Sequence, residues 1–273
     1  MRTQPSSDTR PIGIFDSGVG GLTVLRALAR RFPQESFIYL GDTARVPYGT
    51  KSPRTVERYT LQVADHLQRH GVKGMVAACN TASALGLGAL RAHQPQLPVQ
   101  GVIVPGCRTA LEATQQGRIG VIGTRATITS GAYRNTLHTL DPKLEVTDVA
   151  CPLFVPLAEE GWTHHPATEL IVQESLAPLL ESGIDTLILG CTHYPVLKEI
   201  IGSVMGDAVT LVDSADAVAD ELQNRLSDVI TPNQGDLPRS ILYLVTDEAA
   251  RFTSVAKRFL EEIPLDQVEM VDL

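Results

Sequence analysis

The sequence predicts an α/β fold with mostly parallel sheets, arranged as two related lobes. Short apolar runs alternate with segments in which apolar residues recur every three or four positions, a pattern typical of parallel strands covered by helices. Two pairs of segments also match each other at nearly equal spacing, and polar residues follow several of the strands. Because ligands bind beyond the carboxyl ends of parallel strands, these polar residues are candidates for a functional site.

The composition predicts a soluble, packed chain and argues against two kinds of partner. The 273 residues are 43% apolar with a formal net charge of −8, and this negative charge argues against nucleic acid as the main partner. No apolar run approaches the roughly 20 residues of a membrane span, so no membrane partner is expected. Residues 1–10 lack the apolar core of a signal peptide and are expected to form a disordered tail. The four cysteines are expected to be reduced thiols in the cytoplasm.

Eight apolar runs are predicted to be strands, and amphipathic segments between them to be helices. The predicted strands are IGIF (12–15), FIYLG (37–41), GMVAAC (74–79), VQGVIV (99–104), RIGVIG (118–123), TLILGC (186–191), VTLV (209–212) and ILYLV (241–245). The predicted helices include 22–32, 55–70 and 168–183. After the seventh strand the pattern predicts a helix, a polar loop over 231–240, a strand and a last helix.

Two gapless matches within the sequence support the two lobes. GVKGMVAACNTAS from Gly71 matches GIDTLILGCTHYP from Gly183 at an offset of 112. IGIFDSG from Ile12 matches IGVIGTR from Ile119 at an offset of 107. The alternative is that any two strands of an α/β protein look alike, but two matches at similar offsets favour an internal repeat.

If the lobes are related, Cys79 and Cys191 occupy equivalent strand ends. Lobes that face each other would then bring the two thiols together. The pattern places the first lobe at about 11–102 and the second at about 103–211, and by itself leaves 212–273 unassigned.

The glycine-rich segment DSGVGG directly follows the first predicted strand. Its glycines permit a tight turn and expose N–H groups at the start of the next helix. The spacing matches neither the dinucleotide fingerprint nor the phosphate loop. The segment is therefore either a simple turn or an anion-binding turn with Asp16 and Ser17 aimed into a cleft.

The segment GDTARVPYGTKSP follows the second predicted strand and is long for a strand-to-helix connection. Long connections at this edge of an α/β sheet are often binding loops. Tyr48 and Gly49 could offer a hydroxyl and a backbone N–H to a ligand. An ordinary surface loop is the alternative.

Two cysteines stand where predicted strands end. In AACNTAS, Cys79 precedes Asn80 and Thr81, either of which could be the N-cap of a helix, and a cysteine in a strand is usually part of the core. In LILGCTHYP, Cys191 is followed at once by a threonine and a histidine. The mirrored positions of the two cysteines make a shared role more plausible than two core positions.

Three kinds of chemistry are compatible with these residues. A zinc site made by Cys79, Cys191 and His193 would lack the usual clustered ligand spacing. A hydrolytic Cys–His pair would need only one of the cysteines. Two opposed thiols, near their reference pKa of about 8.5, could instead remove a proton from one face of a carbon and return one to the other. Cys107 and Cys151 lack the strand-end setting and are expected to be structural.

No cofactor is expected for such a proton transfer. Pyridoxal phosphate would require a Schiff-base lysine, and of the five lysines only Lys51 lies near a candidate loop. The site would then have to stabilise a developing carbanion with N–H and hydroxyl donors.

FDSGVGGLTVL, VPYGTKS, ACNTAS and LGCTHYP, in this order and spacing, closely resemble the motifs of glutamate racemases over about 12–212. The resemblance implies cofactor-independent interconversion of L- and D-glutamate, which supplies D-glutamate for peptidoglycan. It also implies two three-layer α/β lobes with the active site in the cleft between them. The first lobe would comprise 11–102 together with 212–273, and the second 103–211. A cytoplasmic homodimer is expected.

Carried over to this sequence, the resemblance assigns roles to ten residues. Cys79 and Cys191 would be the acid/base thiols for D- and L-glutamate respectively, with Asp16 and His193 assisting proton transfer on their sides. The substrate-binding residues would be Asp16, Ser17, Tyr48, Gly49, Asn80, Thr81, Thr192 and His193. No metal is implied.

Two other functions stay open at this point. One is a racemase for aspartate or another acidic amino acid, since one methylene changes binding by only about 1–3 kcal/mol. The other is a non-catalytic protein that binds an anionic metabolite and whose cysteines are buried and unreactive.

Overall fold

The computed structural model describes residues 8–229, 232–233 and 239–273. Within them, short strands alternate with helices as predicted. The strands are β1 (Ile12–Asp16), β2 (Phe37–Gly41), β3 (Gly74–Ala77), β4 (Val99–Gly101), β5 (Arg118–Gly123), β6 (Glu145–Ala150), β7 (Thr186–Gly190), β8 (Thr210–Asp213), β9 (Ile241–Val245) and β10 (Val268–Met270). The helices are α1 (Leu22–Arg31), α2 (Pro53–Arg69), α3 (Asn80–Leu85), α4 (Leu87–His93), α5 (Ile103–Ala113), α6 (Arg125–Thr129), α7 (Ala132–Leu140), α8 (Phe154–Glu159), α9 (Pro166–Ser182), α10 (Lys198–Met205), α11 (Ser214–Val229) and α12 (Ala249–Leu260).

The described strands form two sheets in which every ladder is parallel. The first sheet has the order β10-β9-β2-β1-β3-β4 and the second the order β6-β5-β7-β8. Helices pack over both sheets, with α1 against α11 and α12, and α5 against α7 and α11. The predicted α/β fold with two parallel-sheet lobes is therefore confirmed. We call the part built on the six-stranded sheet the first lobe and the part built on the four-stranded sheet the second lobe.

The two lobes share the same arrangement of four strands. The order β2-β1-β3-β4 in the first sheet corresponds to β6-β5-β7-β8 in the second. Ile12 of β1 pairs with residues of β2 and β3, just as Ile119 of β5 pairs with residues of β6 and β7. The matches within the sequence thus fall on strands that hold the same place in both sheets. Cys79 and Cys191 follow the equivalent strands β3 and β7.

Helix α1 shows how the apolar pattern closes the first lobe. Leu22, Leu25 and Leu28 lie about one turn apart and are fully buried. Burial of each leucine side chain contributes about 1.5–3 kcal/mol. On the outer face, Arg26 and Arg30 pair with acidic residues that follow α12. Strands β1, β2, β3 and β7 are buried along their whole length, so the polar residues at their carboxyl ends lie inside the molecule.

All eight predicted strands are present, but three of them end earlier than predicted: GMVAAC ends at Ala77, TLILGC at Gly190 and VQGVIV at Gly101. VQGVIV is predicted as one strand, whereas β4 ends at Gly101 and helix α5 begins at Ile103. Pro105 lies in the first turn of α5, where the backbone N–H has no helical partner and proline is tolerated. A short apolar run does not by itself distinguish a strand from a buried helix.

Two edge strands, β6 and β10, are missing from the sequence prediction. β6 reads EVTDVA and is mostly half-buried, and β10 has three residues of which only Val268 is half-buried. An edge strand needs no continuous apolar run because part of it faces solvent. Since Cys151 directly follows β6, the expectation that it lacks a strand-end setting is wrong.

The ends of the predicted first lobe are only partly described. Residues 1–7 of the predicted tail 1–10 lie outside the described residues. In the predicted loop 231–240, residues 231 and 234–238 also lie outside them. The carbonyl of Asp8 accepts a hydrogen bond from Lys73 Nζ at 2.8 Å. Helix α11 packs against α1 of the first lobe and α5 of the second. Among the helices in the described part of the chain, none has the length and apolar character needed to span a membrane.

Candidate active site

The carboxyl ends of β1, β2, β3 and β7 meet at one small cavity between the lobes. Nine of the ten predicted site residues line it: Ser17, Tyr48, Gly49, Cys79, Asn80, Thr81, Cys191, Thr192 and His193. The tenth, Asp16, lies behind Thr192, whose hydroxyl donates to Asp16 Oδ1 at 3.3 Å. The structure therefore brings the residues of all four motifs together, and their individual roles stay predictions.

The turn after β1 directs the Asp16 carboxylate inward and brings the two lobes into contact. Asp16 is 1% exposed, and its Oδ2 accepts a hydrogen bond from the Gly18 N–H at 2.9 Å. At Gly20, an added Cβ would lie 2.3 Å from Thr192 Oγ1 and 2.4 Å from His193 Nδ1. Only glycine fits at that position, so the segment DSGVGG allows the second lobe to approach Asp16.

Cys79 is the N-cap residue of helix α3, so the assignment of that cap to Asn80 or Thr81 is wrong. Its Sγ accepts a hydrogen bond from the Ala82 N–H at 3.5 Å. The thiol donates in turn to Ser17 Oγ at 3.8 Å. Cys79 is thus held by one donor and one acceptor, both from the first lobe.

His193 connects Cys191 to Glu159, a residue that the sequence analysis does not name. The Cys191 Sγ lies 3.9 Å from Nδ1 of His193, and Nε2 of the same ring lies 3.0 Å from Glu159 Oε1. The ring of Phe259 in α12 packs edge-on against the imidazole, with 5.4 Å between the ring centroids. On the second-lobe side, the imidazole of His193 therefore lies between the carboxylate of Glu159 and the thiol of Cys191.

Asn80 presents an unpaired donor beside the two thiols. Its Oδ1 accepts a hydrogen bond from the hydroxyl of Tyr133 in α7 at 2.5 Å. The side chain is buried, and within the described part of the chain its Nδ2 has no hydrogen-bond partner. A buried unpaired N–H group costs free energy unless a ligand accepts from it.

Thr81 belongs to a cluster of three hydroxyl groups that joins the lobes. Its Oγ1 lies 2.9 Å from Thr124 Oγ1 and 3.0 Å from Thr127 Oγ1, and the latter two are also 3.0 Å apart. Thr124 lines the cavity, and a Cβ at Gly49 would lie 2.6 Å from its Cβ. The cluster closes one end of the cavity.

The hydroxyl of Tyr48 does not point freely into the cavity, contrary to expectation. It donates to Oδ2 of Asp42, a fully buried carboxylate that also accepts hydrogen bonds from Arg45 and Thr246. Tyr48 therefore contributes a ring wall, while the backbone N–H of Gly49 remains the candidate donor of this loop.

The comparisons with known proteins agree with this arrangement. A family described as Asp/Glu/hydantoin racemase matches residues 16–222. The chain belongs to this racemase family. It is 51% identical to a glutamate racemase from Geobacter metallireducens over 255 residues, which cover 92% of this chain and 93% of the relative.

Two solved structures of glutamate racemases are similar to the chain over nearly its whole length. Isoform RacE1 from Bacillus anthracis is 39% identical with a TM-score of 0.91, and the match covers 97% of this chain and 98% of that one. The enzyme from Francisella tularensis, solved in complex with D-glutamate, is 38% identical with a TM-score of 0.90 and covers 97% and 98%. The two-lobe fold is thus shared with the racemase family.

The first-lobe side of this racemase-family site disfavours ionisation. Burial raises the pKa of the Asp16 carboxyl, although the nearby His193 and the Gly18 N–H oppose the rise. Burial and the charge of Asp16 also raise the pKa of the Cys79 thiol to about 12. The expectation that this thiol stays near its reference pKa is therefore wrong, and Cys79 is protonated at neutral pH.

The second-lobe side instead favours a positive charge. Burial by itself lowers the pKa of His193, but hydrogen bonds to Cys191 and Glu159 and the charges of Cys191 and Asp16 outweigh burial and raise it to about 10. Burial opposes the ionisation of Glu159, yet the hydrogen bond and charge of His193, together with Arg251, lower its pKa. His193 is therefore an imidazolium at neutral pH, next to Cys191.

The other two cysteines do not line the cavity. Cys107 and Cys151 are buried, and their thiols lie 3.8 Å and 3.9 Å from backbone carbonyl oxygens. All four cysteines of the chain are free. Among the described residues, no group of three or more His, Cys, Asp or Glu side chains is placed to hold a metal ion, so the zinc alternative finds no ligand set there.

Five residues around the site are absent from the sequence analysis: Asp42, Thr124, Thr127, Tyr133 and Glu159. Asp42 and Thr124 each follow a strand directly, so the rule that polar residues after strands should be examined could have found both. Tyr133 and Glu159 lie on helices, at positions that carry no recognisable motif. Only tertiary packing brings Glu159 to the cavity and the Tyr133 hydroxyl to Asn80.

Proposed function

We propose that this protein interconverts L- and D-glutamate without a cofactor, using Cys79 and Cys191 as the two acid/base groups. The observation that supports this most is that the two thiols come from different lobes and line the same cavity. Removal of a proton from one face of a carbon and return of a proton to the other requires two such groups on opposite sides. Glutamate as the substrate is supported by the full-length similarity to the glutamate racemase of Geobacter metallireducens.

The proposed reaction in one direction starts from L-glutamate. The thiolate of Cys191 takes the α-proton, and the electron pair of the C–H bond stays on the α-carbon as a carbanion. The thiol of Cys79 then gives its proton to the opposite face, which yields D-glutamate and leaves Cys191 as a thiol and Cys79 as a thiolate. D-Glutamate reacts by the reverse sequence.

The charges of the site support different assistance on the two sides. On the second-lobe side the imidazolium of His193, held by Glu159, lies 3.9 Å from the sulfur of Cys191, and a positive charge this close favours a thiolate. On the first-lobe side the pKa of Cys79, raised to about 12, has to fall during turnover. A substrate ammonium group bound beside Asp16 and Ser17 would supply the positive charge that lowers it.

Several donors around the cavity are available for the two carboxylates of the substrate. They include the backbone N–H of Gly49, the Nδ2 of Asn80 and the hydroxyl of Thr81. Thr192 lines the same cavity, but its hydroxyl already donates to Asp16. We propose that Asn80 Nδ2 binds one carboxylate, and that the donors nearer the α-carbon also stabilise the charge that develops there. Such preorganised donors are the usual means of stabilising an anionic transition state.

We also propose the predicted lobe bounds of 11–102 with 212–273 and of 103–211, except that β8 of the second sheet ends at Asp213 and moves the last bound by two residues. The pairing of β9 and β10 with the first sheet supports the return of the C-terminal segment. The resemblance further suggests a homodimer in the cytoplasm that supplies D-glutamate for peptidoglycan. Light scattering during size-exclusion chromatography would test the dimer, because a monomer at micromolar concentration would contradict it.

The function is tested with purified protein and L-glutamate in D₂O, with no cofactor added. Loss of the circular dichroism signal, together with deuterium at Cα of the product, is expected for two-base racemisation. A doubly substituted Cys79→Ser/Cys191→Ser protein, prepared in the same way, controls for a contaminating racemase. Reaction with aspartate but not glutamate would change the proposed substrate to aspartate and keep the proposed two-thiol mechanism. Silence with both amino acids, from folded and reduced protein, would favour a binding protein with unreactive thiols.

A further inference from the structure

The hydroxyl of Tyr133 holds the amide of Asn80 in a single orientation. We propose that Tyr133 is a positioning residue: its hydrogen bond to Asn80 Oδ1 fixes the amide so that Nδ2 faces the cavity as a donor for a substrate carboxylate. This inference rests on the proposed function, and it adds a residue from the second lobe to carboxylate recognition in the first.

Tyr133 is well suited to this role because its ring is buried and closely packed. The side chain is 2% exposed. A Cβ at Gly190, the last residue of β7, would lie only 3.0 Å from the ring, so the ring packs directly on the backbone that leads to Cys191. A Cβ at Gly106 of α5 would lie 3.8 Å from the other side of the ring. This packing holds the Tyr133 hydroxyl in place beside Asn80.

The orientation of an amide matters because its two ends have opposite hydrogen-bonding character. Oδ1 only accepts and Nδ2 only donates. With Oδ1 occupied by Tyr133, the buried Nδ2 is left without a partner in the described part of the chain. A carboxylate is acceptor-only and would satisfy Nδ2, whereas a reversed amide would turn its oxygen toward the carboxylate and repel it.

The hydrogen bond also crosses between lobes. Asn80 begins α3 after β3 of the first lobe, whereas Tyr133 lies in α7, which packs against α5 and β6 of the second. The donor is therefore correctly aligned only when the lobes are together. Carboxylate binding and the approach of the two thiols consequently depend on the same arrangement of the lobes.

The first test is Tyr133→Phe, which removes the hydroxyl and keeps the ring. Loss of one buried hydrogen bond should raise KM for both enantiomers about tenfold while kcat changes little, because the carboxylate is bound equally before and during proton transfer. Tyr243→Phe is the matched control, since Tyr243 is also buried and its hydroxyl donates only to the Pro264 carbonyl at 2.8 Å. The control should keep the KM of the wild-type protein.

The second test asks whether Tyr133 acts through Asn80. In an Asn80→Ala background, Tyr133→Phe should cause no further loss in kcat/KM, because the amide that it positions is gone. A full tenfold loss in that background would overturn the proposal, as would an unchanged KM for the single variant. These variants are informative only if the wild-type protein racemises glutamate. Failure of the proposed function would appear as an inactive wild-type protein and is therefore distinguished from failure of this proposal.

Asn80→Asp gives a measure that does not depend on the folding of the tyrosine variant. Aspartate keeps an oxygen for the Tyr133 hydroxyl but replaces the donor by an acceptor. It should therefore retain the unfolding temperature and lose about a hundredfold in kcat/KM. Near-wild-type activity of this variant would show that Nδ2 does not face a carboxylate.

Discussion

The two halves of the site have the same backbone frame and opposite electrostatics. Cys79 and Cys191 follow equivalent strands of two similarly ordered sheets. Around Cys79, however, burial and the Asp16 carboxylate hold the thiol protonated, whereas Cys191 lies beside an imidazolium. The two thiols are therefore related by the fold but not by charge.

This difference shows what the internal repeat supplies and what it leaves to individual residues. The repeat brings two strand ends to one cavity. The charge of each half comes from side chains without counterparts in the other, namely Asp16 at the end of β1 and Glu159 of α8. In the unliganded protein the first-lobe half thus holds a protonated thiol, whereas the second-lobe half holds a positive charge.

The largest expected effect follows from replacing either thiol. Cys79→Ser and Cys191→Ser should each lower kcat/KM by about 10²–10⁴, because a serine hydroxyl is a far poorer proton carrier. The loss must be equal in both directions, since enantiomers have equal free energy. Isotope effects separate the halves: Cys79→Ser should show the larger primary effect with 2-deuterated D-glutamate, and Cys191→Ser with 2-deuterated L-glutamate.

A cysteine outside the cavity provides the control for this experiment. Cys151→Ala should retain turnover, because its thiol contacts a backbone carbonyl and does not line the cavity. Equal isotope effects with both enantiomers in both serine variants would contradict the assignment of each thiol to one face.

The frame of the site could be predicted from the sequence more fully than its charges. Strand-end position places Cys79 and Cys191, because parallel strands all direct their carboxyl ends to one edge. The residues that give the two halves different charges could not be predicted from strand ends in this way. Glu159 reaches His193 only because α8 packs against Tyr194–Leu197, and nothing in the local pattern FVPLAEEG marks it. The edge strands were missed for a related reason, since partial exposure removes the apolar run that reveals a strand.

The direction of a polar group was also beyond the sequence. Tyr48 was expected to offer its hydroxyl to a ligand, but the hydroxyl donates to Asp42, which lies six residues earlier and fully buried. A loop motif shows which residues lie near a site. It does not show which of their hydrogen bonds are already made within the protein.

The second largest effect is expected at Gly20, where the first lobe touches the Cys191 half. Gly20→Ala would place a methyl group 2.3 Å from Thr192 Oγ1 and 2.4 Å from His193 Nδ1, so both side chains must move. A displacement of about 1 Å at a catalytic group costs roughly a hundredfold in rate. We expect this loss in kcat with the isotope pattern of Cys191→Ser. Gly88→Ala, where a Cβ meets nothing within 4 Å, is the control.

The smallest effect, and the one most specific for charge, is expected from Glu159→Gln. The substitution keeps a hydrogen-bond partner for His193 and removes the negative charge that helps to raise its pKa to about 10. Below its pKa the imidazole is charged and supports the Cys191 thiolate, so this support is lost as pH rises through about 10. In the variant the fall of kcat/KM should begin at lower pH, with roughly a tenfold loss near pH 9 and a smaller one near pH 7.

The same variant should lose stability in a defined pH window. A histidine whose pKa is raised by folding stabilises the folded state fully below its unfolded value of about 6.5, and this contribution disappears above about 10. The difference in unfolding free energy between wild type and Glu159→Gln should therefore be largest near pH 6 and shrink toward pH 10. Glu160→Gln, at the exposed neighbouring position, should change neither profile. An unshifted pH profile for Glu159→Gln would mean that the charge of His193 does not depend on α8, and the electrostatic difference between the two halves would then need another source.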